Sequence, residues 1–426
     1  MIKKISQIFF LLEKKQQKKI IYLQIIILLT ACMEVLSLFA IAPFMSILAD
    51  YDVINKEGYI SDLYNYLEFQ NPKDFLFFFA LFFLCILSIS SLIHMATIWI
   101  VSINSIKMGT TLGNRLFSFY LNQNWLFHVK SNSAQLINKI AQESDRITLG
   151  IIQPAMLINA KLAVSVFLII AMIAYNPFVA LIVGLILGTS YVIIFLYVKN
   201  SVMRNGKIVS STQESRYKLM SEGFGGIKEV LISGRQNFFT FNFKKNSNQW
   251  ADAIGKNQAI GQLPRYIVEL IAFSIIVGFV IYLTSKGEEN NFKTLFPVLS
   301  IYALGGLKLL PAFQSIFVYL TAIKANINAY ENIKENLIEA KNQDLKSRIK
   351  DFKKSIEMNL NNELVFKNVN FKYLHDKKKD SFNLVNLNFS IKKNETIGIV
   401  GRSGSGKSTI IDLIAGLILP DKGEIL

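Results

Sequence analysis

The sequence predicts two folds in tandem: a membrane all-α domain of six transmembrane helices, followed by the N-terminal part of an α/β P-loop domain. Three observations carry this. Of 426 residues, 52% are hydrophobic and 12% aromatic, with a mean hydropathy of +0.36, an apolar surplus beyond that of ordinary soluble domains. Six apolar runs are each long enough to cross a bilayer core, which takes about 20 residues. Near the C-terminal end, a glycine-rich segment of the form G-x-x-x-x-G-K-[ST] sits between a β-prone run and a helical one.

In chain order, Met1 to Lys19 places Lys3 and Lys4 before the short apolar stretch Ile8 to Leu12 and then five more charges. That is too short an h-region for a signal peptide and has no small-residue cleavage site, so an amphipathic helix on the inner leaflet is expected. The spans come next at Ile20–Leu48, Phe75–Val101, Ile151–Tyr175, Phe178–Val198, Tyr266–Leu283 and Leu295–Ile323, the third and fourth separated only by Asn176 and Pro177. Lys14, Lys15, Lys18 and Lys19 precede the first span, which places the N-terminus in the cytoplasm. Between Asp50 and Asp74 six acids (Asp50, Asp52, Glu57, Asp62, Glu68, Asp74) outnumber Lys56 and Lys73, as an outside loop allows. The stretch from Lys199 to Pro264 holds ten Lys or Arg against four acids and reads as a cytoplasmic loop. This alternation accounts for much of the net charge of +16 without nucleic acid. Two cysteines, Cys32 and Cys85, both lie in apolar runs, so no disulfide framework or cysteine metal site is expected.

After Ile323 the character changes. Residues 324–362 are rich in Lys, Glu and Asn, with Ile333, Leu337, Leu345, Ile349 and Phe352 at helical spacings, which reads as a helical extension and linker. From Glu363 short β-prone runs appear (Leu364–Tyr373, Leu384–Ile391, Thr396–Val400), interrupted by the polar stretch His375 to Asp380. The expected boundaries are therefore 1–19, 20–323, 324–362 and 363–426. Within the last, Gly401-Arg402-Ser403-Gly404-Ser405-Gly406-Lys407-Ser408 is a P-loop, with Thr409 and a helical run to Leu417 after it. Its glycines let successive backbone N–H groups wrap phosphates, and the helix N-terminus adds partial positive charge. Lys407 would reach the β and γ phosphates of ATP, and the Ser408 hydroxyl would hold Mg²⁺.

The surroundings narrow the class. Val369-Asn370-Phe371-Lys372-Tyr373 resembles the segment of ATP-binding cassettes whose aromatic residue stacks on adenine, and Gly416-Leu417 through Pro420, Gly423 and Ile425 is similar to the stretch on the C-terminal side of the P-loop there. Six spans followed by such a cassette resemble an ABC exporter half-transporter. That resemblance implies two identical chains forming one pump in the bacterial inner membrane, with coupling helices here expected at Asn124–Ser131 and Gly226–Gln236. Gly226-Ile227-Lys228-Glu229-Val230, Leu263-Pro264-Arg265-Tyr266 with Glu269, and Leu307-Lys308-Leu309-Leu310-Pro311 resemble bacterial flippases for lipid-linked oligosaccharides. By resemblance, Tyr373 is the adenine platform; its plain alternative is a core aromatic. The run Leu231 to Gln236 superficially mimics a signature sequence, but it precedes the P-loop and lies between spans.

The family's glutamine loop, signature sequence, Walker B carboxylate and switch histidine come later than Leu426, so these 426 residues alone are not expected to hydrolyse ATP. A longer product and a truncated, non-catalytic membrane protein are the two readings of that fact. Charges within the spans bear on cargo, because each costs a few kcal/mol in lipid. Lys308 lies well inside the sixth span, while Arg265 sits at the inner boundary of the fifth with Glu269 four residues on. Glu34 and His94 fall mid-span and read either as an internal pair or as cargo contacts. Arg265 and Lys308, with Glu34, are the expected cavity residues for an anionic lipid-linked glycan; peptide or drug export is the alternative. Tyr59 to Phe69 is expected to form a short external helix with Ile60, Leu63, Tyr64 and Leu67 on one face, either touching a lipid tail or capping the first spans.

Overall fold

The computed structural model describes residues 2–40, 43–44, 47–48, 54, 58–175, 177–285, 292–342, 362–373 and 383–426. Asp50, Asp52, Lys56, Glu57, Asn176, Leu345, Ile349, Phe352 and the stretch His375 to Asp380 lie outside the described residues. The chain forms two units, Met1–Leu116 with Ile137–Ile338, and Phe117–Leu136 with Glu339–Leu426.

The first unit is helical. Helix α1 (Ile2–Leu11) is amphipathic, with Ile8 and Leu11 buried and Lys4 paired to Glu331. It breaks at Glu13, whose backbone N–H donates to Gln16 Oε1 at 3.2 Å, and α2 (Lys14–Phe39) begins. Next come α3 (Tyr59–Tyr66) and α4 (Pro72–Leu121), which runs on past Leu116. Helices α6 (Ser133–Asn138), α7 (Ser144–Ile147) and α8 (Gln153–Tyr175) form one rod, joined by π-helical turns at Lys139–Glu143 and Thr148–Ile152. After the rod come α9 (Pro177–Gly225), α10 (Ile227–Ile232), α11 (Gln236–Ser285) and α12 (Phe292–Asn342).

The six predicted spans fall on α2, α4, α8, α9, α11 and α12. Among the described residues, four helices are long and apolar enough to cross a membrane, Lys14–Ser37, Pro72–Leu121, Ser133–Ile170 and Gly184–Gly225. One expectation is corrected. Lys199 to Pro264, read as a loop, is helix almost throughout, because α9 and α11 continue far beyond their apolar parts. At 1.5 Å per residue the 50 residues of α11 reach about 75 Å, more than twice a hydrocarbon core of about 30 Å.

Two buried clusters join the rods. Ala31 of α2 packs with Val164, Leu168 and Met172 of α8 and Leu309 of α12. Tyr191 of α9, Val268 of α11 and Phe317 of α12 make the other. Helix α3 turns Ile60 and Tyr64 onto Phe75 and Phe79 at the start of α4, with the Tyr64 and Phe75 rings edge to face at 5.0 Å. Leu63 and Leu67 remain partly exposed, so the contacts of this face are those of a cap on α4.

The second unit has a three-stranded antiparallel sheet in the order β2-β1-β3, from β1 (Glu363–Lys372), β2 (Asn383–Lys392) and β3 (Lys422–Ile425). The short α13 (Lys407–Ile414) begins at the end of the P-loop. Phe366, Val369, Phe371, Leu384, Leu413 and Ile418 are its core. The expected strand Thr396–Val400 is not one here. Among the described residues it has no ladder partner, and Ile397, Ile399 and Val400 are 45%, 36% and 93% exposed.

Candidate functional site

The P-loop turns on two glycines. Gly404 (φ 80°) and Gly406 (φ 94°) occupy the left-handed region, and Gly406 is the N-cap of α13. At Gly401 a Cβ would stand 2.7 Å from Ser405 Oγ, so a side chain there would turn the Ser405 hydroxyl aside. Lys407 curls back, its ammonium donating to the carbonyls of Gly401 and Arg402 at 2.8 Å each. The ammonium therefore sits over the first residues of the loop, beside the start of α13. Arg402, Ser403 and Ser408 are exposed around it, the Ser408 hydroxyl being in the first turn of α13. This donor set fits a triphosphate: glycines for close approach, one ammonium, and a hydroxyl for a divalent cation.

Tyr373 is brought beside the loop. Its hydroxyl shares a 3.2 Å hydrogen bond with Thr409 Oγ1, and its ring meets Phe371 edge to face at 4.9 Å. Thr409 is buried, so Tyr373 is tied to the P-loop helix as well as packed against the core.

The sequence predicts a coupling helix at Asn124–Ser131 without indicating what it touches. Helix α5 (Trp125–Lys130) is N-capped by Asn124, whose Oδ1 accepts from the Phe127 N–H at 3.0 Å. Trp125 Nε1 donates to Asp412 of α13 at 3.1 Å, and Leu126 packs on the sheet core. The helix thus rests on the element that starts at the P-loop. The other expected coupling segment, Gly226–Gln236, contains α10 and a left-handed Gly234 (φ 63°). It leaves Ile227, Leu231 and Ile232 exposed.

The charges of the spans separate into two contacts. Lys308 donates to the Glu34 carbonyl at 3.2 Å and to Ser37 Oγ at 2.9 Å, anchoring α12 to α2. Glu34 Oε2 and His94 Nδ1 lie 3.8 Å apart, both atoms buried and otherwise without a hydrogen bond. Arg265 instead faces Glu269 at 4.0 Å, with both side chains open to the surroundings. Lys308, Glu34 and His94 thus form one polar knot among α12, α2 and α4, while Arg265 makes the i,i+4 pair its spacing allowed.

A node that the sequence does not reveal lies where the rod α6–α8 bulges. Arg146 donates through Nε to Asn326 at 3.0 Å, through Nη1 to Ser210 and Glu143, and through Nη2 to the carbonyls of Gly206 and Ala325. It clasps α9 and α12 to the rod. Gly206 permits this, since a Cβ there would lie 1.9 Å from the Ala325 oxygen.

A P-loop beside a docked helix, carried on a chain of long membrane rods, defines a transporter-type nucleotide-binding protein. Residues 20–306 match the family model of the ABC transporter transmembrane region, and residues 384–426 match that of the ABC transporter. The chain belongs to the ABC transporter family. It is 27% identical over 326 residues to the ATP-dependent lipid A-core flippase of Escherichia coli (strain K12), covering 75% of this chain and 53% of that protein. The proteins of the same name from Shigella boydii serotype 4 (strain Sb227) and Shigella sonnei (strain Ss046) align with the same identity and coverage. The chain spans about half the length of the curated relatives it matches.

Proposed function

We propose that this chain belongs to an ATP-driven lipid flippase that moves an anionic glycolipid, of the lipid-linked oligosaccharide kind, by alternating access. The observation that carries this is Lys308, a half-buried cation held mid-span against the Glu34 carbonyl and Ser37 Oγ, where a charge has a cost that function must offset. The relatives' name, which joins ATP dependence to flipping of lipid A-core, points the same way. Glu34, Lys308 and, at the inner boundary, Arg265 are the residues proposed to meet the head group.

On this reading the chain acts as a homodimer in the bacterial inner membrane, with its N-terminus and cassette in the cytoplasm. Its parts are the helix of residues 1–19, the membrane domain 20–323, the extension 324–362 and the cassette from 363. Gly401 to Thr409 would bind ATP, Tyr373 would lie against adenine, and Ser408 would hold Mg²⁺, which would supply neutralisation of phosphate charge. Closure of two cassettes would be relayed through Asn124–Ser131 and Gly226–Gln236.

The test uses the native gene product in sealed inverted membrane vesicles with a polyprenyl pyrophosphate glycan. ATP should protect the glycan from added glycosidase, and Lys308→Ala should slow protection about tenfold, near 1.4 kcal/mol, at unchanged protein level. ATP-dependent uptake of a peptide or dye, with no glycan protected, would overturn the reading. In the same vesicles Trp125→Ala should lower the protection rate several-fold while the affinity for ATP is kept. A rate equal to wild type would remove α5 from the relay.

A further inference from the structure

A cavity of about 560 Å³ opens in the first unit, walled by the π-bulged rod, α9, α11 and α12. That volume is in the range of small-molecule sites, roughly 300–1,000 Å³. Its lining has helical periodicity. Along α11 it takes Trp250, Ile254, Asn257, Gln258, Gly261 and Gln262, spaced i, i+4, i+7, i+8, i+11 and i+12, which is a single face. A packing face at those positions is normally apolar; here three of the six are amides. Gln142 and Gln213 add neutral amides from the other walls, while Thr321 and Asn326 are already bonded within α12 and to Arg146.

The electrostatics are as telling as the polarity. No Asp, Glu or Lys is among the described lining residues, and the one charge is Arg146. All five of its N–H donors already have acceptors, in Asn326, Ser210, Glu143 and the two carbonyls. It therefore braces the wall and has no donor left for a phosphate. The remaining groups are preset. Arg216 lies over the Trp250 ring at 4.8 Å and donates to Gln213 Oε1 at 2.7 Å, fixing both. Asn205 donates to Asn257 Oδ1 at 3.0 Å, which turns the amide N–H₂ of Asn257 away from that contact.

From this we infer that the cavity is a binding site for an uncharged polyhydroxylated group, the glycan part of an amphiphile. Carboxamides both donate and accept, as sugar hydroxyls do, and an indole offers a flat apolar wall for the C–H face of a sugar ring. Among the described lining residues no charged group has a free donor, which disfavours phosphate; Arg216, whose Nε has no hydrogen-bond partner, stands behind the wall over Trp250. Depth agrees with this. The lining reaches Gln262 and Ala322, next to Tyr266, where the fifth predicted span begins, and Ile323, where the sixth ends. That is the level at which an inner-leaflet head group enters. The inference rests on the flippase reading only for how a glycan reaches the site. Lys308 would meet the charged linkage and this cavity the sugars.

The test reads binding alone. In a Trp99→Phe/Trp125→Phe background Trp250 is the only tryptophan left of the chain's three. The protein in lipid nanodiscs is titrated separately with chitobiose, maltotriose, sodium pyrophosphate and N-acetyl-trialanine amide. A saturable change in Trp250 emission with at least one sugar, weakened tenfold or more by Gln258→Ala/Gln262→Ala, is the expected result. Both glutamines are exposed on α11, so the double variant folds. No saturable response to either sugar, a response to pyrophosphate or the peptide alone, or sugar binding unaffected by the double variant would each overturn the inference. Glycan flipping without sugar binding would sink the cavity and leave the flippase reading standing; sugar binding without flipping would do the reverse.

Discussion

Replacing Lys407 by alanine will weaken MgATP binding by roughly 100-fold, with little change in the fold. The magnitude comes from what the ammonium can do. A hydrogen bond to a charged group contributes about 1.5–3 kcal/mol, and a lysine bridging two phosphates stands near the upper end, about 3 kcal/mol. The fold is spared because the present partners of Lys407 are the carbonyls of Gly401 and Arg402, both exposed, and water replaces the lost donor there. Gly406→Ala is the complementary probe, since it keeps the ammonium but forces a Cβ onto a residue at φ 94°. It should weaken binding too, through the shape of the cradle. The measurement is displacement of a fluorescent ATP analogue from the purified chain. If Lys407→Ala binds within threefold of wild type, the loop is a glycine-rich turn and not a phosphate site.

The legible features are the contiguous ones. The P-loop is eight successive residues whose meaning is local, and the i,i+4 pair of Arg265 and Glu269 likewise comes from helical spacing. The apolar spans appear as helices for the same reason. The lengths of those helices are hidden, because the charged stretch from Lys199 onward lacks the apolar stripe by which a helix is recognised. Its continuation depends on the mutual packing of α9 and α11. Strand Thr396–Val400 fails differently: its composition is that of a buried strand, yet a strand exists only with a partner to bond, and none of the described residues supplies one.

Apart from the mid-span pair of Glu34 and His94, long-range chemistry is illegible. Trp125 and Asp412 stand 287 positions apart and meet through one hydrogen bond. The amide cavity gathers residues from four walls, and only its α11 face is contiguous enough to show a helical spacing in the sequence. Arg146, within Gln142-Glu143-Ser144-Asp145-Arg146, looks in sequence like part of a solvated charged turn. Two π-helical turns flank α7 on either side of it, and such bulges rotate side chains off the regular helical register. Burial of Glu143 against Arg146 is thus a product of geometry that composition does not encode.

That burial sets up a large stability effect. Arg146→Met should lower the apparent unfolding temperature of the detergent-solubilised protein by on the order of 10 °C, the equivalent of about 3–5 kcal/mol. Methionine fills much of the same volume, so the loss comes from the electrostatics it leaves behind. Glu143 is 1% exposed and lies 3.4 Å from the guanidinium, and without it a buried carboxylate stands with no cation. The carbonyls of Gly206 and Ala325, together with Asn326, lose their shared donor at the same moment. Arg146→Lys restores the charge but only one point of attachment, so it should recover part of the loss and still fall short, because a lysine cannot reproduce the planar fork that holds α9 and α12 at once. Glu143→Gln/Arg146→Met supplies the decisive comparison. Removing both charges eliminates the stranded carboxylate, and the double variant should be more stable than Arg146→Met alone, although it lacks every hydrogen bond of the guanidinium. Equal unfolding temperatures for Arg146→Met and the wild type would show that the clasp carries no stability, and a double variant weaker than Arg146→Met would assign the effect to packing rather than to charge.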